Sequence, residues 1–198
     1  MLNDQNLADY IRLPDYIEKK KDAGQIPMAG YADLMRFALL EHYGGTWIDS
    51  TVYLTDPIPD MILNSDFFAV RNSLLLIDNP VLYPAWFLHA KKGNKTIREI
   101  RNVAFAYWLK NEHVIEYLLP NLIITLVVKS NPEVEKAIPY MNSDYSEYLV
   151  KALADDYSEE KWNWIKKLTG IHKLTYKLSP DIEAEGTFYK ALIENSIE

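Results

Sequence analysis

The stretch Tyr31-Ala-Asp-Leu-Met-Arg-Phe-Ala-Leu-Leu-Glu-His-Tyr-Gly-Gly-Thr-Trp-Ile-Asp-Ser-Thr-Val-Tyr53 contains a helix, a stop and a strand. Tyr31, Leu34, Met35, Ala38 and Leu39 recur at three and four, so the spacing predicts a helix from about Ala29 to His42. Gly44-Gly45 ends it, because glycine readily takes the left-handed conformation that helix C-termini often need. Thr46 to Leu54 is rich in β-branched and aromatic residues and reads as a buried strand. One carboxylate, Asp49, lies inside that apolar run.

Working outward, residues 4–13 hold Leu7, Tyr10, Ile11 and Leu13 at roughly helical spacing until Pro14 breaks the segment. Asp15 to Lys21 reads as a second short turn or helix, and Gly24 to Pro27 as a loop. Beyond the strand, Pro57 and Pro59 interrupt; Asp66 to Arg71 and Leu74 to Ile77 then read as two short strands. Helices are expected near 81–91, 95–110, 112–129, 131–138, 144–154 and 158–168. Ile171 to Leu178 alternates like a strand, and a helix near 187–194 follows. This order predicts an α/β fold with a largely helical C-terminal half, in a single domain over 1–198.

A chain of 198 residues can bury one substantial core. A net charge of −7 argues against wrapping nucleic acid through its phosphates. The absence of cysteine excludes disulfides, thiolate metal sites and cysteine nucleophiles. Nowhere do about 18 apolar residues run together, so no membrane-spanning helix is expected. With no signal-peptide pattern at the N-terminus, the expected location is the cytoplasm. Tyr (14) and Trp (5) exceed usual composition, which suits core packing first and sugar stacking second.

Two polar groups stand out. Asp33 and Arg36 are three apart and share a helix face. They read either as an intrahelical ion pair worth about 0.2–0.5 kcal/mol or as ligand contacts. In the second case Asp33 accepts from a ribose or sugar hydroxyl, and the planar fork of Arg36 donates to a sugar or phosphate oxygen. Asp49 reads either as a carboxylate satisfied by backbone N–H groups or as a residue at the end of a strand, where open α/β sheets place ligands. A magnesium or manganese ion takes oxygen ligands and often joins a carboxylate to substrate phosphates. Ser50 and Thr51 would add only hydroxyls. The histidines, His42, His89, His113 and His172, show no zinc spacing and read as structural or surface residues. Trp162 and Trp164, two apart, cannot share a helix face, so one packs inward.

Taken together, Ala32-Asp33-Leu34-Met35-Arg36, Gly44-Gly45 and Trp47-Ile48-Asp49-Ser50-Thr51 resemble the capsular polysaccharide synthesis glycosyltransferases, whose fold is of the glycosyltransferase-A class. Asp9-Tyr10-Ile11, Trp86-Phe87-Leu88, Tyr107-Trp108 and Lys173-Leu174-Thr175-Tyr176-Lys177 extend the likeness over most of the chain. The resemblance implies a Rossmann-like sheet. It implies transfer of a sugar from a nucleotide-diphosphate donor, expected to be UDP-linked, to a glycan acceptor in bacterial capsular or surface polysaccharide synthesis. Asp33, Arg36, Trp47 and Asp49 would contact substrate, and Asp49 with Thr51 would hold the divalent metal (Mn or Mg) of an Asp-x-Asp motif.

Thr51 departs from that motif, since a hydroxyl is a weaker metal ligand than the second carboxylate. No His stands within Tyr117–Asn121 or Asn142–Ser146, where relatives tend to carry one. The resemblance also places a strand–helix–strand segment before the part matching Leu2 to Leu13. It thus implies an N-terminally truncated chain, whose bare sheet edge a homodimer or a partner chain would cover. The competing reading is a non-catalytic remnant serving as a protein- or glycan-binding module.

Overall fold

In the computed structural model, which describes residues 6–73, 80–178 and 180–194, the elements follow one another as α1 (Leu7–Tyr10), α2 (Asp15–Asp22), α3 (Met28–Tyr43), β1 (Gly45–Ile48), β2 (Val52–Leu54), α4 (Asp60–Leu63), β3 (Phe67–Ala69) and β4 (Phe87–Ala90). After them come α5 (Lys95–Lys110), α6 (Leu119–Lys129), α7 (Pro132–Ala137), α8 (Ser143–Ser146), α9 (Tyr148–Ala152), α10 (Glu159–Leu168), β5 (Ile171–Lys173), a 3-10 turn (Pro180–Glu183) and α11 (Phe188–Ile193). The fold is mixed α/β, and its paired strands β2–β5 and β3–β4 are antiparallel. Two compact units form, one from 1–47 and 60–141, the other from 48–59 and 142–198.

The first unit is built around α3 and α5, which pack chiefly on each other. Tyr31, Leu34, Phe37, Ala38 and Leu40 of α3 are buried. They meet Ile97, Ile100, Ala104 and Trp108 of α5 in a core that also takes Ile123, Ile124, Val127 and Val128 from α6. Asn94 starts α5 by accepting from the N–H groups of Thr96 (2.8 Å) and Ile97 (3.1 Å). Such a cap satisfies donors that have no partner within the helix. At the other end of α3, Gly44 has φ 72° and ψ −167°, a region essentially reserved for glycine. A Cβ there would also come within 2.5 Å of the Lys92 backbone nitrogen. The Gly-Gly stop therefore serves both the turn and the close passage of the chain after β4.

The strands of this unit run in the order β1–β4–β3. β3 and β4 pair with Phe68 opposite His89, and the rings of Phe68 and Phe87 meet edge to face at 6.0 Å. Here the structure corrects the sequence reading, which expects a helix over 81–91. Phe87–Ala90 is a strand with all four residues buried. A short continuous apolar run fits either state by periodicity, and pairing with β3 settles it. The helix expected over 112–129 is shorter for a local reason: it starts at Leu119, with Pro120 in its first turn. The strand expected at Leu74 to Ile77 lies outside the described residues.

In the second unit β2 and β5 form a two-stranded ladder, Val52 opposite Lys173 and Tyr53 opposite His172. Its core gathers Leu149, Ala152, Trp162, Ile165 and Phe188. Trp162 is buried while Trp164 is 46% exposed, as their two-residue spacing requires. Ser158 caps α10 by accepting from the Lys161 N–H at 3.2 Å. The helix expected over 144–154 is broken into α8 and α9 at Glu147. Strand structure ends at Lys173 rather than continuing to Leu178.

Candidate functional site

In the first unit the pair foreseen on α3 is present. The Arg36 Nη1 lies 3.2 Å from Asp33 Oδ1. The same nitrogen donates to the carbonyl oxygen of Ala85 at 2.6 Å, and the guanidinium carbon sits 4.9 Å from the Trp47 ring centroid. Arg36 is only 7% exposed. A guanidinium buried that far needs a counter-charge, an acceptor and a surface to stack on, and the chain supplies all three. Trp47 is thus brought together with Arg36 as a cation–π platform. Asp33 lines a recess of about 30 Å³ with Gly30, Phe37, Trp108 and Ile123. That is room for a water or two, not for a sugar ring.

Asp49 and Thr51 belong to the second unit. Asp49 does not lie inside a strand as the sequence reading expects. Asp49 to Val52 form a turn, closed by the Val52 N–H donating to the Asp49 carbonyl at 2.9 Å. Asp, Ser and Thr favour such a turn because their side chains compete with ladder hydrogen bonding. The antiparallel ladder then carries β5 alongside, and Leu174 N–H donates to the Thr51 carbonyl at 2.8 Å. Lys173 is left beside the turn. Its ammonium donates to Asp49 Oδ2 at 3.2 Å and to Thr51 Oγ1. All of this reaches solvent, with the Asp49 and Lys173 side chains 26% and 22% exposed. Sequence reasoning missed Lys173 as a partner. The available signal was a lone carboxylate needing a cation, but the lysine lies 124 positions away.

The fit of a divalent ion can be judged from these donors. The turn offers one carboxylate, Asp49, and the hydroxyls of Ser50 and Thr51, and an ammonium sits on Asp49 and Thr51. Among the described residues no group of three or more His, Cys, Asp or Glu could hold a metal ion. As arranged, Asp49 and Thr51 carry an ammonium on the oxygens that a magnesium or manganese ion would use.

Beside this turn sits His172, one residue before Lys173 and therefore on the opposite face of β5. It is fully buried, with Nε2 3.1 Å from Thr55 Oγ1. Burial pushes its pKa down to about 4, against a smaller upward pull from Asp56. His89 in the first unit is also buried, with Nδ1 2.8 Å from Thr46 Oγ1. Burial first, and Lys91 second, hold its pKa below the ordinary value. The first unit further contains a cavity of about 590 Å³ lined by Asn64, Asp66, Asn94, Lys95 and Glu133 among others, away from the foreseen residues.

Among the described residues no helix is long and apolar enough to cross a membrane. Comparison with curated proteins finds no match. A family profile described as capsular polysaccharide synthesis protein matches residues 1–192, which takes in both polar groups. By that match over nearly its whole length, the chain belongs to the capsular polysaccharide synthesis protein family.

Proposed function

We propose that this chain is a glycosyltransferase that moves a sugar from a nucleotide-diphosphate donor, UDP-linked, to a glycan acceptor during capsule synthesis. In the reaction an acceptor oxygen bonds to the anomeric carbon as the bond from that carbon to the diphosphate breaks. The electron pair leaves with the diphosphate, and the acceptor's proton passes to solvent. The difficulty lies in the charge gathering on the leaving diphosphate, so a fixed positive group near it lowers the barrier. On the same reading the mixed α/β fold is of the glycosyltransferase-A class.

One observation carries the proposal beyond family membership: the trio Asp49, Thr51 and Lys173, held by a turn and a ladder and open to solvent. Asp33, Arg36 and Trp47 are assigned to shaping the first unit.

Release of nucleoside diphosphate from a panel of UDP-, GDP- and dTDP-linked sugars tests this. The wild-type chain should turn over at least one donor, and Asp49→Ala should slow it tenfold or more, because the ammonium loses the carboxylate that holds it. Zero release from every donor by the wild type, with capsular acceptor glycan added, would sink the proposal and favour a binding module.

A further inference from the structure

Lys173 supplies at Asp49 and Thr51 the positive charge that a metal ion would otherwise bring. We infer that the Lys173 ammonium, seated on these two oxygens, binds the diphosphate of the donor directly, and that this chain holds its donor without a divalent ion. The inference rests on the nucleotide-sugar reading above and specifies how that site works.

Three features carry it. Both side-chain oxygens that the Asp-x-Asp resemblance would give to a metal already accept from an ammonium. An ammonium has three N–H donors; two are used, and among the described residues no protein acceptor takes the third. With its side chain 22% exposed, Lys173 can turn that donor towards a phosphate oxygen, for which a compact lysine charge is well suited. Lastly, the ammonium is held in place from both ends. The Val52 pairing fixes the Lys173 backbone, and Asp49 fixes the tip. Asp49 is then a positioning residue, and its own charge opposes the anion that Lys173 attracts.

That opposition separates the two possibilities by sign. If a metal joined Asp49 to the diphosphate, removing the Asp49 charge would abolish binding. If Lys173 does the work, Asp49→Asn keeps an acceptor for the ammonium and removes a like charge, so binding tightens, by about two- to fivefold.

The experiment is calorimetric titration of the full chain with inorganic pyrophosphate and with UDP, once in EDTA and once with manganese. Expected is binding of both probes in EDTA. Lys173→Ala should weaken it about tenfold to a hundredfold, the value of a charge-assisted hydrogen bond. Lys173→Arg should retain most of the affinity, and Asp49→Asn should tighten it. Urea midpoints of the variants check that each is folded. The inference is overturned if binding appears only with manganese, if Asp49→Asn abolishes it, or if folded Lys173→Ala binds as the wild type does. Failure of both probes to bind the wild type under any condition removes the nucleotide-sugar reading itself, a different result from binding that demands manganese.

Discussion

Consider acidifying the protein from pH 7.5 to pH 5. His172 is fully buried on β5, its Nε2 facing Thr55 and its Nδ1 without a partner among the described residues. Burial depresses its pKa from 6.5 to about 4. In the unfolded chain the same imidazole takes up a proton near its ordinary value. Between these two values the unfolded state binds more protons than the folded one, so stability is fully present above about pH 6.5 and falls with pH towards about 4. A shift of this size corresponds to about 3 kcal/mol when complete, and about 2 kcal/mol of it is already lost at pH 5. For a domain of ordinary stability that is a large fraction. The assay is urea unfolding followed by far-ultraviolet circular dichroism at pH 7.5 and 5, for wild type and His172→Gln. Glutamine keeps an amide near Thr55 and does not titrate. Carboxylates other than Asp56, which pulls on His172 itself, contribute alike to both proteins and cancel in the comparison. Wild type should lose about 2 kcal/mol more than the variant over this range. Equal losses in the two proteins would refute the argument that a neutral, buried His172 governs acid stability.

Gly44→Ala should destabilise the fold by about 2 kcal/mol or more, through its glycine-only backbone conformation and the clash with the Lys92 backbone. Gly45→Ala, with a φ of 99° but nothing within 4 Å of its added carbon, should cost less; urea midpoints that rank the two the other way would contradict the packing role. Asn94→Ala should lower stability by about 1 kcal/mol by uncapping α5, with Asn94→Asp restoring most of it in the same measurement.

Some of this protein was legible in its residues alone, and the reason is that those features are local. The α3 periodicity, its Gly-Gly stop, the shared face of Asp33 and Arg36 and the opposite fates of Trp162 and Trp164 all depend on neighbours within about one helical turn. The motif from Ala32 to Thr51 likewise announced the capsular family, because it is a run of adjacent residues. Tertiary structure decided the rest. Phe87–Ala90 became a strand because β3 lies beside it, while an apolar run carries no period of its own. Arg36 found Ala85 across 49 positions. Asp49 moved out of the expected strand onto a turn, and β5 delivered Lys173 to it from 124 positions away. Spacing along a chain encodes which side chains share a face. Which cation meets a lone carboxylate depends on how distant strands pair, and that is settled only when the ladder closes.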